Sequence, residues 1–593
     1  MTKRYLLGNE AIAHAALEAS ADFASGYPGT PSSEVIDILR AQEERPLYVE
    51  WSVNEKVAFE NALAVAWCGL RSLVTMKHVG MNVAADPLMT SAYTGVNGGF
   101  VILCADDPFA HSSQDEQDTR CYARFAHLPC LDPATVQEAH DMVIDAFALS
   151  EELGLPVIFR PTTRVCHSRS DVDTGPASTT EHRKGEFPRD PKRFVLIPGH
   201  ARPLHKALNE KQPQVVKTLA GRHYNRFVKG GPRGVISGGI AVTYVEELLP
   251  REVSLGRIGA YPVDRGALRA FIAGHREVLV VEEGEPVIEE LVRQEARGVP
   301  VSGKLDGSVP REGELSTAAV ASILAAKGLL PQPAGPPPAP AQNVPVRPPI
   351  MCAGCMHRPT FHAMKKVWRD AVYPSDIGCY TLGLQLGVVD TTICMGSAPS
   401  LASGIYHAGE KRDVVATIGD STFLHSGIPG LLNAVYNGAE MTLVILDNRT
   451  TGMTGHQPNP VSGMTAMGEV KAPVSLEAIC RACGVSFVET VSPYDLPSTI
   501  EVMKAAKAQK GVKVVIAKQP CVITARRAGV RRTTYTVDRD ACTVCGTCVR
   551  FGCPAIEMVD ERASINELCS GCGVCAQICP SGAIGPQAKE GKA

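Results

Sequence analysis

Eight of the chain's 20 cysteines fall in two runs near its end, DACTVCGTCVRFGCP and NELCSGCGVCAQICP. Three thiolates separated by two residues each hold three irons of one cubane, and a fourth cysteine followed by proline reaches across to the neighbouring cubane. The spacing predicts that Cys542, Cys545, Cys548 and Cys579 hold one [4Fe–4S] cluster, and that Cys569, Cys572, Cys575 and Cys553 hold a second. The first run has four residues between Cys548 and Cys553 where three is usual, which lengthens a turn without preventing ligation. Structural zinc suits the trailing cysteine–proline pairs less well. Electron transfer is the one function these runs predict unaided.

A second constellation lies in VVATIGDSTFLHSGIPGLLNAVYNGAEMTLVILDNRTTGMTG. A strand is expected to end at Gly419-Asp420-Ser421, a helix rich in small residues to follow, and another strand to end at Asp447-Asn448. In a parallel sheet the loops at the carboxyl ends of neighbouring strands share one side, where ligands bind. Asp420 and Asn448 then converge as oxygen ligands for Mg²⁺, with a diphosphate completing the shell. Glycine beside the aspartate allows close backbone approach to phosphates. Two ordinary strand-end turns are the alternative, but the order of the pieces resembles the thiamine diphosphate motif, usually GDG followed by NN. Ser421 and Asp447 depart from it at positions that do not supply the key metal oxygens. By the same resemblance, Thr450 adds a backbone carbonyl to the Mg²⁺.

A thiamine cofactor needs a carboxylate beside its aminopyrimidine ring, and Glu55 in WSVNEKVAFENALAVAWCGL opens an amphipathic helix directly after an extended segment. Alone, such a residue is favourable first-turn electrostatics. Upstream, SGYPGTPSSEVID sets a tight turn before a helix that Thr30, Ser32 and Ser33 could cap, or whose hydroxyls could meet a substrate carboxylate.

The runs GYPGTPSSE, WSVNEKVAFE, GDS…DNRTTG, CAGCMHR and the terminal cysteine pairs together resemble the 2-oxoacid:ferredoxin oxidoreductases, over essentially the whole chain. The resemblance implies that Glu55 activates the thiamine and that Thr30 contacts the 2-oxoacid. It also implies a third [4Fe–4S] cluster near the thiamine, held by Cys352, Cys355, Cys379 and Cys521. Buried free thiols, or zinc on Cys352, Cys355 and His357 or His362, are the other readings of that set. Enzymes of the family decarboxylate a 2-oxoacid on thiamine diphosphate, pass electrons singly to ferredoxin and release an acyl-CoA. The family's pyruvate-specific members carry an arginine near the end of the strand corresponding to FVILCADDP. Cys104-Ala105-Asp106-Asp107 stands there, which speaks against small, pyruvate-like substrates, and the overall resemblance implies an aryl 2-oxoacid of the indolepyruvate or phenylpyruvate type. Arg120, Arg160 and Arg164 are further electrostatic candidates, and His78, His425 and His456 could move protons or simply pack. The family also implies a smaller β subunit, an α2β2 assembly, coenzyme A as acyl acceptor and soluble ferredoxin as electron acceptor. A non-oxidative thiamine decarboxylase would not need the cysteine tail. An electron-transfer subunit with a vestigial thiamine site would not need Glu55, Asp420 and Asn448.

These residues must be positioned by several domains, because single cores stop growing near roughly 250–300 residues and the chain has 593. Short apolar strands alternating with helices predict a multidomain α/β protein built on parallel sheets. We expect a thiamine pyrimidine-binding domain at 1–185 and a transketolase-C-terminal-like α/β domain at 190–330. A proline-rich linker at 331–350, a diphosphate- and Mg²⁺-binding domain at 351–530 and a two-cluster ferredoxin domain at 531–593 complete the chain. A net charge of -3 gives no reason to expect nucleic acid or membrane partners, and the N-terminus lacks the features of a signal peptide, so cytoplasmic location is expected. Cys480 and Cys483 sit on an expected helix as ordinary thiols.

Overall fold

A computed structural model describes residues 2–42, 47–177, 183–331, 345 and 347–587. It divides into two compact units, Met1–Gln342 and Asn343–Ala593. Most of the expected linker, 332–344 and 346, lies outside the described residues.

The first unit holds two sheets. The larger has seven strands in the order Ala260–Tyr261, Cys130–Leu131, Val157–Phe159, Phe100–Ala105, Ser72–Lys77, Phe23–Gly26, Tyr48–Trp51, parallel except for the first pair. Its two central strands, SLVTMK and FVILCA, are buried along their whole length, as strands covered by helices on both faces must be. The smaller sheet runs Val301–Ser302, Glu277–Val281, Arg233–Gly238, Ser254–Ile258, Arg226–Val228, parallel except for its last strand. The two are interlocked, because Ala260–Tyr261 follows a strand of the smaller sheet and pairs with Cys130–Leu131 of the larger.

Glu55–Trp67 is helical because Asn54 caps it, its side-chain oxygen accepting from the Val57 N–H at 2.9 Å. Ala58, Phe59, Ala62, Leu63 and Ala66 then bury one face at helical spacing. That cap fixes where Glu55 stands, at the first helical position.

Glu283, just past the strand Glu277–Val281, has one oxygen accepting from the Leu315 N–H at 2.8 Å and a second, buried one with no partner among the described residues. Burial pushes its carboxyl from 4.5 up to about 7. The protonated form is favoured in the fold, so its contribution is complete below the unfolded value and is lost as pH rises through 7. Glu283→Gln is therefore expected to leave stability nearly unchanged at pH 4 and to raise it by about 1–3 kcal/mol at pH 8.5. Denaturant titrations of both proteins at the two pH values check this.

The second unit contains a four-stranded parallel sheet in the order Val415–Gly419, Met441–Asp447, Val512–Lys518, Phe487–Val491. Three of these strands are the expected ones; the edge strand Phe487–Val491, from SFVETV, is an addition. The chain then enters a small module of two antiparallel ribbons, Tyr535–Val537 with Ile584–Pro586 and Ile556–Val559 with Arg562–Ile565. The module is fastened to the sheet domain: Gln577 accepts from the Leu496 N–H and donates to the Tyr494 carbonyl, and Phe551 and Val574 enter the domain's core. The tightest contact is at Gly354, where an added Cβ would lie 1.7 Å from the Ser570 hydroxyl oxygen.

Candidate functional site

Asp420 and Asn448 stand where the sequence places them, just past the ends of two adjacent parallel strands. Asp420 accepts from the Ser421 N–H at 2.8 Å and faces the Asn459 amide at 3.4 Å; the Asn448 side-chain oxygen accepts from the Thr450 N–H at 3.0 Å. Burial, and then the charge of Asp447, push Asp420 up to about 8. Burial raises Asp447 as well. Two buried carboxylates that oppose each other's ionisation fit a site completed by a cation. Asp447 thus adds negative charge that the sequence reading did not credit to it. Arg449, directly after Asn448, takes a left-handed φ of 61°, strain of a kind that gathers at binding loops. The space beside Gly419 is taken by the Tyr380 ring, whose Cε1 lies 2.8 Å from where a Cβ would stand. A five-residue π-helix, Phe423–Gly427, follows the motif, a deviation frequent at functional sites.

The upstream cysteines are brought together. Burial pushes Cys355 up to about 12, with the charges of Cys379 and Cys352 adding to it. Cys379 rises to about 11 by burial, then by Cys521 and Cys352. This set adjoins the strand-end loop. The Cys521 N–H donates to the Asn448 carbonyl at 3.0 Å. Cys379 Sγ and the Asn448 amide nitrogen both lie within 4 Å of the point where a Gly452 Cβ would stand. His357 Nδ1 is 3.4 Å from Cys355 Sγ, whereas the His362 ring packs edge-on against Phe551.

In the terminal module, Cys542, Cys545, Cys548 and Cys579 line one small cavity together with Val537, Met558, Ala563 and Ile584. The other four are electrostatic neighbours: Cys575 is pushed up to about 12 by burial, then by Cys572, Cys569 and Cys553. In both sets the fourth member comes from the opposite run. Among the described residues, no three His, Cys, Asp or Glu side chains are placed to hold a single metal ion. Arg358 is buried between the two cysteine regions, donating to the Met351 carbonyl at 2.8 Å and lying 3.1 Å from the Cβ position of Gly552.

In the first unit, Glu55 is buried at its helix start, and Gly80 packs against it. A Cβ at Gly80 would come within 2.7 Å of Glu55 Cγ and Oε1. Gly80→Ala is expected to displace the carboxylate and lower turnover about 10²-fold at unchanged iron content, checked by steady-state kinetics with an iron assay. Thr30 lies in a turn whose neighbouring hydroxyls are occupied locally. Ser33 accepts from the Gly29 N–H, and Ser32 donates to the Gly29 carbonyl, so neither supplies the helix-capping bond the sequence suggested. The Gly29 Cβ position lies 3.3 Å from the Lys77 stem. Lys77 is not among the residues the sequence singles out; a lysine closing an otherwise uncharged strand is the available signal.

The arginines are committed elsewhere. Arg120 pairs with Asp118 at 2.6 Å and Glu282 at 2.9 Å, and Arg160 with Asp106 at 2.7 Å and Asp132 at 3.2 Å, all buried. The Arg120–Glu282 pair ties the two sheets together, and Arg160 joins strand ends within the larger one. Arg164 pairs with Glu314 at 2.7 Å near the surface. His78 reaches the Asp115 carbonyl, His425 the Ser426 hydroxyl, and His456 holds a buried Nδ1 without a partner among the described residues. Cys480 is buried on the helix Leu476–Ala482, with Cys483 capping its end.

Comparison with known proteins agrees with this layout. Residues 14–225 match the family profile described as pyruvate flavodoxin/ferredoxin oxidoreductase, thiamine diP-bdg. Residues 376–517 match thiamine pyrophosphate enzyme, C-terminal TPP binding domain, and 534–590 match 4Fe-4S dicluster domain. The indolepyruvate oxidoreductase subunit IorA of Archaeoglobus fulgidus is 44% identical over 98% of this chain and 97% of its own. That of Thermococcus kodakarensis is 43% identical over 99% and 97%. A solved 2-oxoglutarate:ferredoxin oxidoreductase from Magnetococcus marinus aligns with a TM-score of 0.46 at 15% identity, over 55% of this chain and 65% of that one. With near full-length identity of this order, the chain belongs to the indolepyruvate oxidoreductase IorA family of thiamine- and iron–sulfur-dependent 2-oxoacid:ferredoxin oxidoreductases.

Proposed function

We propose that this chain is the catalytic large subunit of an enzyme converting an aryl 2-oxoacid and coenzyme A into an arylacetyl-CoA and CO₂, releasing two electrons and one proton. The observation that carries the reading is the junction at Asn448, where the loop suited to a metal diphosphate is hydrogen-bonded to Cys521 of the upstream cysteine set. Oxidation and decarboxylation are thereby coupled at one place, which a non-oxidative decarboxylase would not require. Asp420, Asn448 and the Thr450 carbonyl would hold Mg²⁺, and the raised Asp420 carboxyl must lose its proton to do so. Thiamine diphosphate supplies the nucleophile and the electron sink when bound. Glu55 would hold the proton at the cofactor's aminopyrimidine end, and burial keeps water from competing for it. Cys352, Cys355, Cys379 and Cys521 would hold a cluster beside that loop, and the two terminal sets would carry electrons outward to ferredoxin. The names of the relatives support an indolepyruvate-type substrate, and the missing arginine after Cys104 supports an aryl over a small side chain.

The test is anaerobic co-purification with the smaller partner subunit, followed by a screen of 2-oxoacids with coenzyme A and ferredoxin. Indolepyruvate and phenylpyruvate should reduce ferredoxin and pyruvate should not. CO₂ release without ferredoxin reduction would sink the oxidative reading, and ferredoxin reduction by pyruvate alone would sink the aryl assignment.

A further inference from the structure

Among the described residues, the three arginines the sequence offers as electrostatic candidates in this unit are neutralised. Arg120 and Arg160 sit in buried ion pairs and Arg164 pairs with Glu314. Lys77 is different. It ends the fully buried strand Ser72–Lys77, is itself 8% exposed, and stands in register with Ala105 on the next strand. Its stem lies against the Gly29 turn that carries Thr30. Among the described residues its one hydrogen bond runs from Nζ to the Ser112 carbonyl, at 2.9 Å, so two of the three ammonium N–H groups are left to donate.

The acids around it do not neutralise it in a contact. Asp107 accepts from the Ser112 N–H, the Ser113 hydroxyl and the Thr163 hydroxyl, and Asp115 lies 3.5 Å from His78. Burial holds the Lys77 ammonium below its ordinary pKa, while the charges of Asp107, Asp115 and Glu55 act to keep it protonated. Glu55 is therefore close enough to be felt. A buried ammonium with unused donors is costly unless an anion meets it.

We propose that Lys77 is the anchor for the carboxylate of the 2-oxoacid, an inference that rests on the function proposed above. The register puts it level with the end of the strand Phe100–Ala105, where Ala105 offers no charge. Lysine presents a point charge, not the two-pronged fork of arginine. It can orient the carboxylate through one oxygen without clamping the group that departs as CO₂. The carbon–carbon bond to that carboxylate breaks, its electron pair stays on the acyl side, and the ammonium keeps its proton throughout.

The experiment uses the holoenzyme with its partner subunit. Lys77→Gln, which keeps an N–H donor without the charge, is compared with Lys77→Arg and the parent; Lys77→Met replaces the Gln variant if that variant does not fold. Binding of 3-phenylpropionate and of its neutral amide is measured by calorimetry, and kcat and KM are measured with phenylpyruvate. The neutral variant should bind the carboxylate about tenfold or more weakly, bind the amide as the parent does, and raise KM more than it lowers kcat. The Arg variant should recover part of the loss. Equal weakening of acid and amide would show that Lys77 only packs, and unchanged carboxylate affinity would equally overturn the proposal. If the parent turns over no 2-oxoacid, the proposed function falls and the anchor falls with it. If phenylpyruvate is a substrate and the neutral variant keeps its KM, the anchor alone is wrong.

Discussion

Replacing Glu55 by glutamine is expected to slow turnover about 10²–10⁴-fold, the range for losing a positioned proton-transfer group. The fold gives little reason for the protein to change otherwise. The helix start is set by Asn54, not by Glu55, and its buried face belongs to Ala58, Phe59, Ala62, Leu63 and Ala66. Glutamine has the same shape, so it should fill the space against Gly80. What it cannot do is exchange a proton at the position the carboxylate occupies. Melting temperature, iron content and thiamine diphosphate affinity should stay close to the parent, while single-turnover reduction of the clusters by the 2-oxoacid slows. A Glu55→Gln enzyme within threefold of the parent rate would remove Glu55 from the chemistry.

Cys521→Ala should lower bound iron from about 12 to about 8 per chain, at four irons per cubane, and should abolish reduction of ferredoxin by the 2-oxoacid. The terminal sets draw nothing from Cys521, so their signals in electron paramagnetic resonance should persist when dithionite is added. The alanine keeps the backbone N–H that Cys521 gives to Asn448, which preserves the strand-end loop. The variant thereby separates the proposed cluster ligation by the side chain from the loop support given by the main chain. Iron unchanged at about 8 in both proteins would mean that the upstream thiols hold no cluster.

How far the sequence could be read depended on how local each signal was. The terminal cysteines were legible because the chemistry of a cubane dictates spacing within a few residues, and the cross-over of the fourth cysteine follows from it. The strand ends at Asp420 and Asn448 were legible because an apolar run that stops at a polar turn marks the sheet edge. The α/β character and the order of domains followed from the same alternation. Pairings between distant segments were not legible. Nothing near Arg120 announces Glu282, and nothing near Gly419 announces that Tyr380 takes the room its missing side chain leaves. Arg160 looked like a cation for a ligand until Asp106 and Asp132 closed on it. Lys77 is not legible in the sequence because a lysine at a strand end reads as a solvated terminus, and only the neighbouring strand and the Gly29 turn make it a buried one. The strand Phe487–Val491 is not legible because its exposed Glu489 and Thr490 interrupt the apolar pattern, as suits an edge.

The seam at Gly354 has a practical consequence for building hybrids. The electron-carrying tail looks from its sequence like an interchangeable cassette, to be swapped for another dicluster domain at the chain's end. Ser570, between two of the tail's own cysteines, fills the space that any residue larger than glycine at 354 would need, and Gly354 itself takes a left-handed φ of 71°. A foreign cassette with a bulkier residue at the position of Ser570 would be held off the Cys352–Cys355 loop, and a cluster held there, as proposed above, would lie farther from the tail. A working chimaera is therefore selected by one small side chain facing one glycine, before any matching of redox potentials begins.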